Sequence, residues 1–212
     1  MDVFKQVWLI VFLLIFFDVV AIILSTLIFT AYTFSYRKRD LMIRRALFTD
    51  LQEILDVKDF VIADMAKHNI FQWDHTYPNQ AVFTQDIENE NLYVIEENGV
   101  ICGFACIDTN QASEYDTLDF KVPGTAYVVH RLAIHPKYNG RGYASRIIQF
   151  AEALALQNGV FDLRIDTFCE NIPAQNFFRK QGFNYIGDVF FPRKKEPFCC
   201  FHKTISVQSI SA

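Results

Sequence analysis

Residues 130–145, His-Arg-Leu-Ala-Ile-His-Pro-Lys-Tyr-Asn-Gly-Arg-Gly-Tyr-Ala-Ser, run an apolar strand into a short glycine-bearing turn and out into a helix. Glycine reaches positive φ without a Cβ clash and lets the backbone approach a bulky anion. The helix that follows offers unpaired N–H groups and the positive end of its dipole. Such a nest can wrap a pyrophosphate without net positive charge. Two familiar phosphate-binding patterns do not fit. There is no G-x-x-x-x-G-K-[ST] loop. Gly140-x-Gly142-x-x-Ser145 lacks the third glycine of a dinucleotide fingerprint. Asp166 ends the next strand 24 residues past Gly142, but only 46 residues follow it, too few for a dinucleotide sheet.

The surrounding pattern is that of one α/β domain. Met42–Ala46 reads as a first strand, and Thr49 with Gln52 forms a capping-box pattern that opens a helix through about Lys67. An aromatic loop, Trp73 through Pro78, precedes a short helix within Asn79–Glu90. Leu92–Glu96 and Val100–Ile107 are strands around Asn98-Gly99, a strong hairpin turn. Asp108–Gly124 is polar and long for a structureless loop, hence a candidate lid. Strands follow at Ala126–Ile134, Leu163–Phe168, Phe183–Phe191 and Phe198–Ile205, with helices at Ser145–Gln157 and Pro173–Gln181.

Ahead of this domain lies a segment of different composition. Val7–Ala31 is almost wholly apolar, and 18 of its 25 residues are Val, Leu, Ile or Phe. That length spans a hydrocarbon core of about 30 Å. At roughly −0.3 to −0.6 kcal/mol each, those side chains outweigh the roughly +2.5 to +3.5 kcal/mol for Asp18. Asp18 reads as a tolerated neutral carboxyl, with helix contact or function as the alternatives. No A-x-A cleavage site follows. Residues 1–36 are therefore expected to form a transmembrane helix, 37–41 a basic linker, and 42–212 the folded domain. Arg37, Lys38, Arg39, Arg44 and Arg45 follow the span and only Lys5 precedes it, which puts the domain in the cytoplasm. The alternative is that translation starts at Met42 and the domain is soluble.

The first 41 residues carry four basic and three acidic side chains; removing them from totals of 20 and 24 leaves 16 and 21, a net of −5. A domain of that charge is not expected to grip nucleic acid. Five cysteines, with no CxxC pair, give neither a zinc site nor a redox motif. Cys102 and Cys106 lie about 13 Å apart along a strand, and Cys199 and Cys200 face opposite ways. All five are expected as reduced thiols packed in the core, and no metal is expected.

Asn139-Gly-Arg-Gly-Tyr-Ala144, after a Leu-Ala-Ile strand end, resembles the acetyl-CoA loop of the GNAT acetyltransferases, R/Q-x-x-G-x-G/A. Asn171-x-x-Ala174 followed by Lys180-Gln-Gly-Phe183 resembles that family's second block. The resemblance covers about residues 42–205. It implies a mixed, mostly antiparallel sheet of six to seven strands flanked by helices, and acetyl-CoA as co-substrate.

Residue by residue, the resemblance gives Leu132, Ala133 and Ile134 backbone contacts to the pantetheine arm and thioester carbonyl. Asn139, Gly140, Arg141, Gly142, Tyr143, Ala144 and Ser145 would cradle the pyrophosphate. Asn139 departs from the usual Arg or Gln. Arg141 either adds a phosphate contact or is a solvated helix-start residue. Asn171 would touch the cofactor arm, cap its helix, or both. Phe178 stands where many members carry the Tyr that protonates the departing thiolate; it can pack against the cofactor but has no proton to give. Tyr143, Tyr185 or water would take over.

The implied reaction is direct attack of a primary amine, on a small molecule or a protein N-terminus, on the thioester. A lysine-like amine is only about 1 in 2,500 neutral at pH 7, against about one in seven for an α-amine, so the former leans harder on a base. His130 is the candidate base, a hydrogen-bonded core histidine its alternative. Trp73, His75 and Tyr77 fall where the family forms its acceptor site, or pack in the core. The rival function is a catalytically silent acyl-CoA-binding module acting as sensor or interaction domain; a third is a membrane protein carrying the domain as passenger. Acceptor identity and oligomeric state are left open.

Overall fold

The computed structural model describes residues 16, 17, 19–26, 40–120 and 124–206. Most of the apolar stretch, Asp18 included, lies outside them. Within it, residues 16, 17 and 19–26 are helical. Among the described residues no helix is long and apolar enough to cross a membrane. The expected transmembrane helix therefore has no support from the structure, because the unbroken apolar run it needs is not among those residues. Residues 1–39 and 40–212 form separate compact units, and the second holds the candidate site.

Among the described residues seven strands form one sheet in the order β1-β2-β3-β4-β5-β7-β6: β1 (Leu41–Arg45), β2 (Leu92–Glu97), β3 (Val100–Asp108), β4 (Tyr127–Ile134), β5 (Asp162–Phe168), β6 (Asn184–Val189) and β7 (Phe198–Thr204). Every pair is antiparallel except β4 with β5. The hairpin between β2 and β3 turns through Asn98 and Gly99, both at positive φ (53° and 79°), as a tight turn matched to strand twist requires.

Helices cover both faces, and the alternation along the strands shows it. Tyr93 and Ile95 of β2 pack with helix α3 (Tyr143–Gln157) through Ile147, Ile148 and Ala151. Leu92 and Val94 face the other way, onto α1 (Leu51–Lys67) through Ile54 and Val57, and onto α2 (Gln80–Glu88) through Phe83 and Ile87. A strand buried on both sides reads as an unbroken apolar run rather than an alternating one. A third cluster around Tyr115, Phe168 and Phe198 closes the β7 side. Helix α4 (Ile172–Lys180) buries Gln175 and Phe178.

Three expectations need correction. The entry to α1 is not the Thr49–Gln52 capping box. A 3-10 turn, Phe48–Asp50, leads in, Asp50 Oδ2 accepts the Leu47 N–H at 2.7 Å, and Gln52 turns instead to Asp56. The Asp108–Gly124 stretch is not a free lid over its described part. It contains a 3-10 turn, Ser113–Thr117, whose Tyr115 is 1% exposed and donates to Asp166 Oδ2 at 2.6 Å. Further along, the Arg164 guanidinium lies 3.6 Å from the Phe120 ring centroid. Nor are all cysteines reduced, since Cys169 and Cys199 form a disulfide. The β5–β7 register sets Thr167 opposite Cys199, so Cys169 emerges from β5 beside it, with Cα atoms 5.1 Å apart. Cys102, Cys106 and Cys200 are buried free thiols.

Candidate active site

The parallel pairing of β4 with β5 lasts for three residue pairs, Tyr127–Leu163 to Val129–Ile165, and then stops. β4 runs on through His130–Ile134 and β5 through Asp166–Phe168. The strands part at this point because β4 changes course. Phe104 and Cys106 of β3 pair with Ala133 and His130, so Arg131 and Leu132 oppose a single residue, and Arg131 takes φ 53°. An extra residue on one strand bends it and redirects its side chains. Gly103 lets the chains approach there; a Cβ on it would lie 2.5 Å from the Ala133 carbonyl oxygen.

A cavity of about 580 Å³ fills the gap between the strands. At one end it reaches Pro136, Asn139 and Ala144, which flank the glycine turn, while Gly140 and Gly142 themselves do not line it. His135 Nδ1 accepts the Lys137 N–H at 3.0 Å and Pro136 starts a 3-10 turn through Tyr138. Gly140 (φ 76°) and Gly142 (φ 82°) then adopt left-handed backbone, and the space where their Cβ atoms would lie is open to 4 Å. The first hydrogen bond of α3 runs from Arg146 N to Gly142 O, so the N–H groups of Tyr143, Ala144 and Ser145 lie ahead of the ladder. An anion would meet those amides over the two glycines. Asn139 and Ala144 line the cavity; Ser145 does not. Arg141 is drawn back to Glu97 at 3.2 Å and lies 5.0 Å from the Tyr138 ring centroid. Tyr143 is 3% exposed in the core, its hydroxyl buried without a hydrogen bond and away from the cavity wall.

Leu132 and Ile134 line the β4 wall, whereas Ala133 points to the opposite face beside Phe104. Asn171 caps α4, its Oδ1 accepting the Ala174 N–H at 3.1 Å, and also lines the cavity while its Nδ2 donates to Gln72. Phe178 lines it as well, its far side packed on Phe183 and Phe201.

The other end of the cavity is aromatic and charged. Trp73 and Tyr77 line it; His75 is exposed and does not. The bulge at Arg131 sends its guanidinium onto Asp86 of α2 at 2.7 and 2.9 Å and to the Tyr77 hydroxyl at 3.3 Å. Burial lifts the Asp86 carboxyl despite that pairing. His130 reaches the cavity wall, its Nε2 3.0 Å from the Asn110 carbonyl oxygen and 3.3 Å from Asp108 Oδ1. A carbonyl only accepts, so Nε2 carries the hydrogen and the lone pair of the neutral ring sits on Nδ1. Asp166, at the opened end of β5, also lines the cavity. Burial pushes its carboxyl up, while the Tyr115 hydroxyl and nearby His130, Arg193 and Arg131 oppose the rise.

The profile of the acetyltransferase (GNAT) family matches residues 57–183, 127 of the 212. This chain belongs to the GNAT acetyltransferase family. A GNAT-family acetyltransferase from Streptococcus agalactiae shares the fold with a TM-score of 0.69 at 25% identity, over 78% of this chain and 96% of that one. A protein described as an acetyltransferase from Staphylococcus aureus Mu50 is 32% identical, with a TM-score of 0.61 over 78% and 99%. Streptothricin acetyltransferase from Escherichia coli is 30% identical over 69 residues, 32% of this chain and 40% of that enzyme. The chain thus aligns with less than half the length of that curated relative.

GNAT enzymes use acetyl-CoA as co-substrate, and the opened sheet with its glycine turn fits a diphosphate at one end and an acceptor at the other. The GNAT motifs pointed to the first end. At the second end, Gln72, Asp86, Arg131 and Arg193 belong to no motif, and Asp166 enters the sequence reading only through the rejected dinucleotide pattern. One signal lies in the sequence: Arg131, beside His130, puts a permanent charge inside a mostly apolar strand.

Proposed function

We propose that this GNAT protein transfers the acetyl group of acetyl-CoA to a primary amine. The observation that carries this reading is a single cavity reaching from the turn residues Asn139 and Ala144, through the gap between β4 and β5, to His130 and Asp166. Acetyl-CoA supplies an activated thioester that an amine can attack directly, so no enzyme nucleophile is required.

The diphosphate is held by the amides of residues 143–145 over Gly140 and Gly142. Backbone groups of Leu132–Ile134, released from pairing with β5, bind the arm, and Asn171 and Phe178 border it. Aligning two reactants in one cavity is itself a large part of the acceleration. His130 takes the amine proton at Nδ1, Asp108 and the Asn110 carbonyl holding the ring from behind. No phenol stands at position 178, Tyr143 lies in the core, and Tyr185 is bonded to Asp188 away from the cavity. The Tyr77 hydroxyl is turned to Arg131, so in this reading the departing thiolate takes its proton from water and His130 gives up the amine proton to solvent.

Release of free thiol from acetyl-CoA across a panel of amines tests the reading, with streptothricin included because of the 69-residue likeness. Thiol release that depends on an amine is the expected result. Tight acetyl-CoA binding with no amine supporting release overturns it in favour of a silent binding module. Membrane attachment rests on the hydropathy of Val7–Ala31 alone.

A further inference from the structure

We propose that the acceptor is a small zwitterion, an amine with a carboxylate beside it, whose ammonium faces Asp166 and whose carboxylate is gripped by Arg193. The inference rests on the acetyltransferase reading and narrows its acceptor from amines at large to amino-acid-like molecules.

Other charges in and beside the cavity are already satisfied. Both Asp86 oxygens and the Tyr77 hydroxyl take the donors of Arg131. Asp64, also on the wall, faces Lys67 at 3.6 Å. Lys194, next to Arg193 in sequence, is held by Asp74 at 3.0 Å.

Arg193, on the stretch between β6 and β7, differs from all of these. Its guanidinium carbon lies 4.2 Å from the Tyr77 ring centroid and 4.8 Å from that of Phe198. Its hydrogen bond is a long one, 3.4 Å to the Gln72 carbonyl, and among the described residues no carboxylate pairs with it. Aromatic faces fix the plane of a guanidinium but leave its edge donors unspent. Two parallel N–H groups on such an edge match a carboxylate. Arg193 is exposed at the cavity mouth, so an incoming ligand can reach it.

Asp166 is the complementary group. One oxygen accepts from Tyr115 at 2.6 Å, and the carboxyl lines the cavity. Asp166 and Arg193 line the same cavity, one with an acidic and one with a basic group turned to it. A plain amine would satisfy only the acid. A polyamine would set its second cation against Arg193 and Arg131. A protein N-terminus has no carboxylate next to its amine. The zwitterion alone satisfies both groups, and Trp73, Met65 and Phe191 give its side chain an apolar wall.

The test compares amino acids with the amines left when their carboxyl group is removed: phenylalanine with phenethylamine, leucine with isopentylamine, methionine with 3-(methylthio)propylamine. Affinity for the full-length protein in the presence of coenzyme A is measured by calorimetry, and acetyl transfer by thiol release. Amino acids are expected to bind at least about tenfold more tightly than their partners, the scale of a charge-assisted hydrogen-bond pair. Arg193→Gln is expected to abolish that preference by weakening the amino acids alone, with coenzyme A affinity unchanged. Arg193→Lys is expected to keep part of it. Equal binding of the two classes, no binding of any amino acid, or a preference untouched by Arg193→Gln overturns the proposal. Arg193-dependent amino-acid binding without thiol release would leave the zwitterion site standing and remove the transfer reaction. Acetylation of both classes alike, indifferent to Arg193, would do the reverse.

Discussion

Gly142 stands at φ 82° with open space where a Cβ would be. In the free protein a side chain there meets only left-handed strain, about 1–2 kcal/mol. In the proposed complex with coenzyme A, the same atoms would intrude on the diphosphate held over the two glycines. Gly142→Ala is therefore expected to fold while raising the coenzyme A Kd at least about tenfold, and Gly142→Glu to raise it further by charge repulsion, as titration calorimetry would record; unchanged affinity in a folded variant would contradict the cradle. His130→Gln keeps a polar side chain but no basic nitrogen, so kcat is expected to fall by about a hundredfold or more while acetyl-CoA affinity stays put. A fall in affinity with kcat intact would make His130 a positioning residue. Both positions were visible in the chain itself, the glycines through their turn and His130 through its place one residue before the Arg-Leu-Ala-Ile strand end. The partners of His130, Asp108 and Asn110, were not, because they arrive from β3 and the loop after it.

Element by element, local features read well and long-range ones did not. The β2–β3 hairpin needs only Asn98-Gly99 and its flanking apolar runs, and α2 needs only Asn79, whose Oδ1 accepts the Val82 N–H at 3.1 Å. The start of α1 failed because a tertiary partner intervenes. Arg44 of β1 bonds Asp50 at 2.7 Å and Glu96 at 2.8 Å, and so fixes the turn that precedes the helix. Burial raises the Asp50 carboxyl, but the Arg44 bond and the Leu47 N–H outweigh it and hold the pKa below the ordinary value. A folded pKa below the unfolded one means stability that is present above the unfolded pKa and lost as pH falls through the folded one. Asp50→Asn is thus expected to lower the urea midpoint at neutral pH, with the gap to the parent protein closing below about pH 4. A gap constant across that range would show that the ion pair contributes nothing. The Asp108–Gly124 strap carries a related expectation. Tyr115→Ala removes a fully packed ring and is expected to cost about 3 kcal/mol or more in denaturant unfolding, whereas an unpinned lid would lose almost nothing.

The chain from Asp40 onward holds its own core and all of the candidate site. A protein beginning at Asp40 is expected to fold and to bind coenzyme A as the full chain does. If residues 1–39 anchor it, cell fractionation will find the full chain with membranes and the shorter one elsewhere; identical distribution would dispose of the anchor. Adjacent residues alone specify the succession of strands and helices along the chain, the Asn98-Gly99 turn, the left-handed glycine turn before α3 and the family motifs. Those depend on φ preferences, hydrophobic period and motif spacing, all of which act within a few residues. Contacts between distant segments set where β4 parts from β5, bring Cys169 to Cys199, and let Arg131 find Asp86 from 45 positions away. The acceptor end of the cavity is made of such meetings. Its charges come from α2, β4, β5 and the β6–β7 connection, and their juxtaposition follows from sheet order and one bulge, which no local pattern encodes.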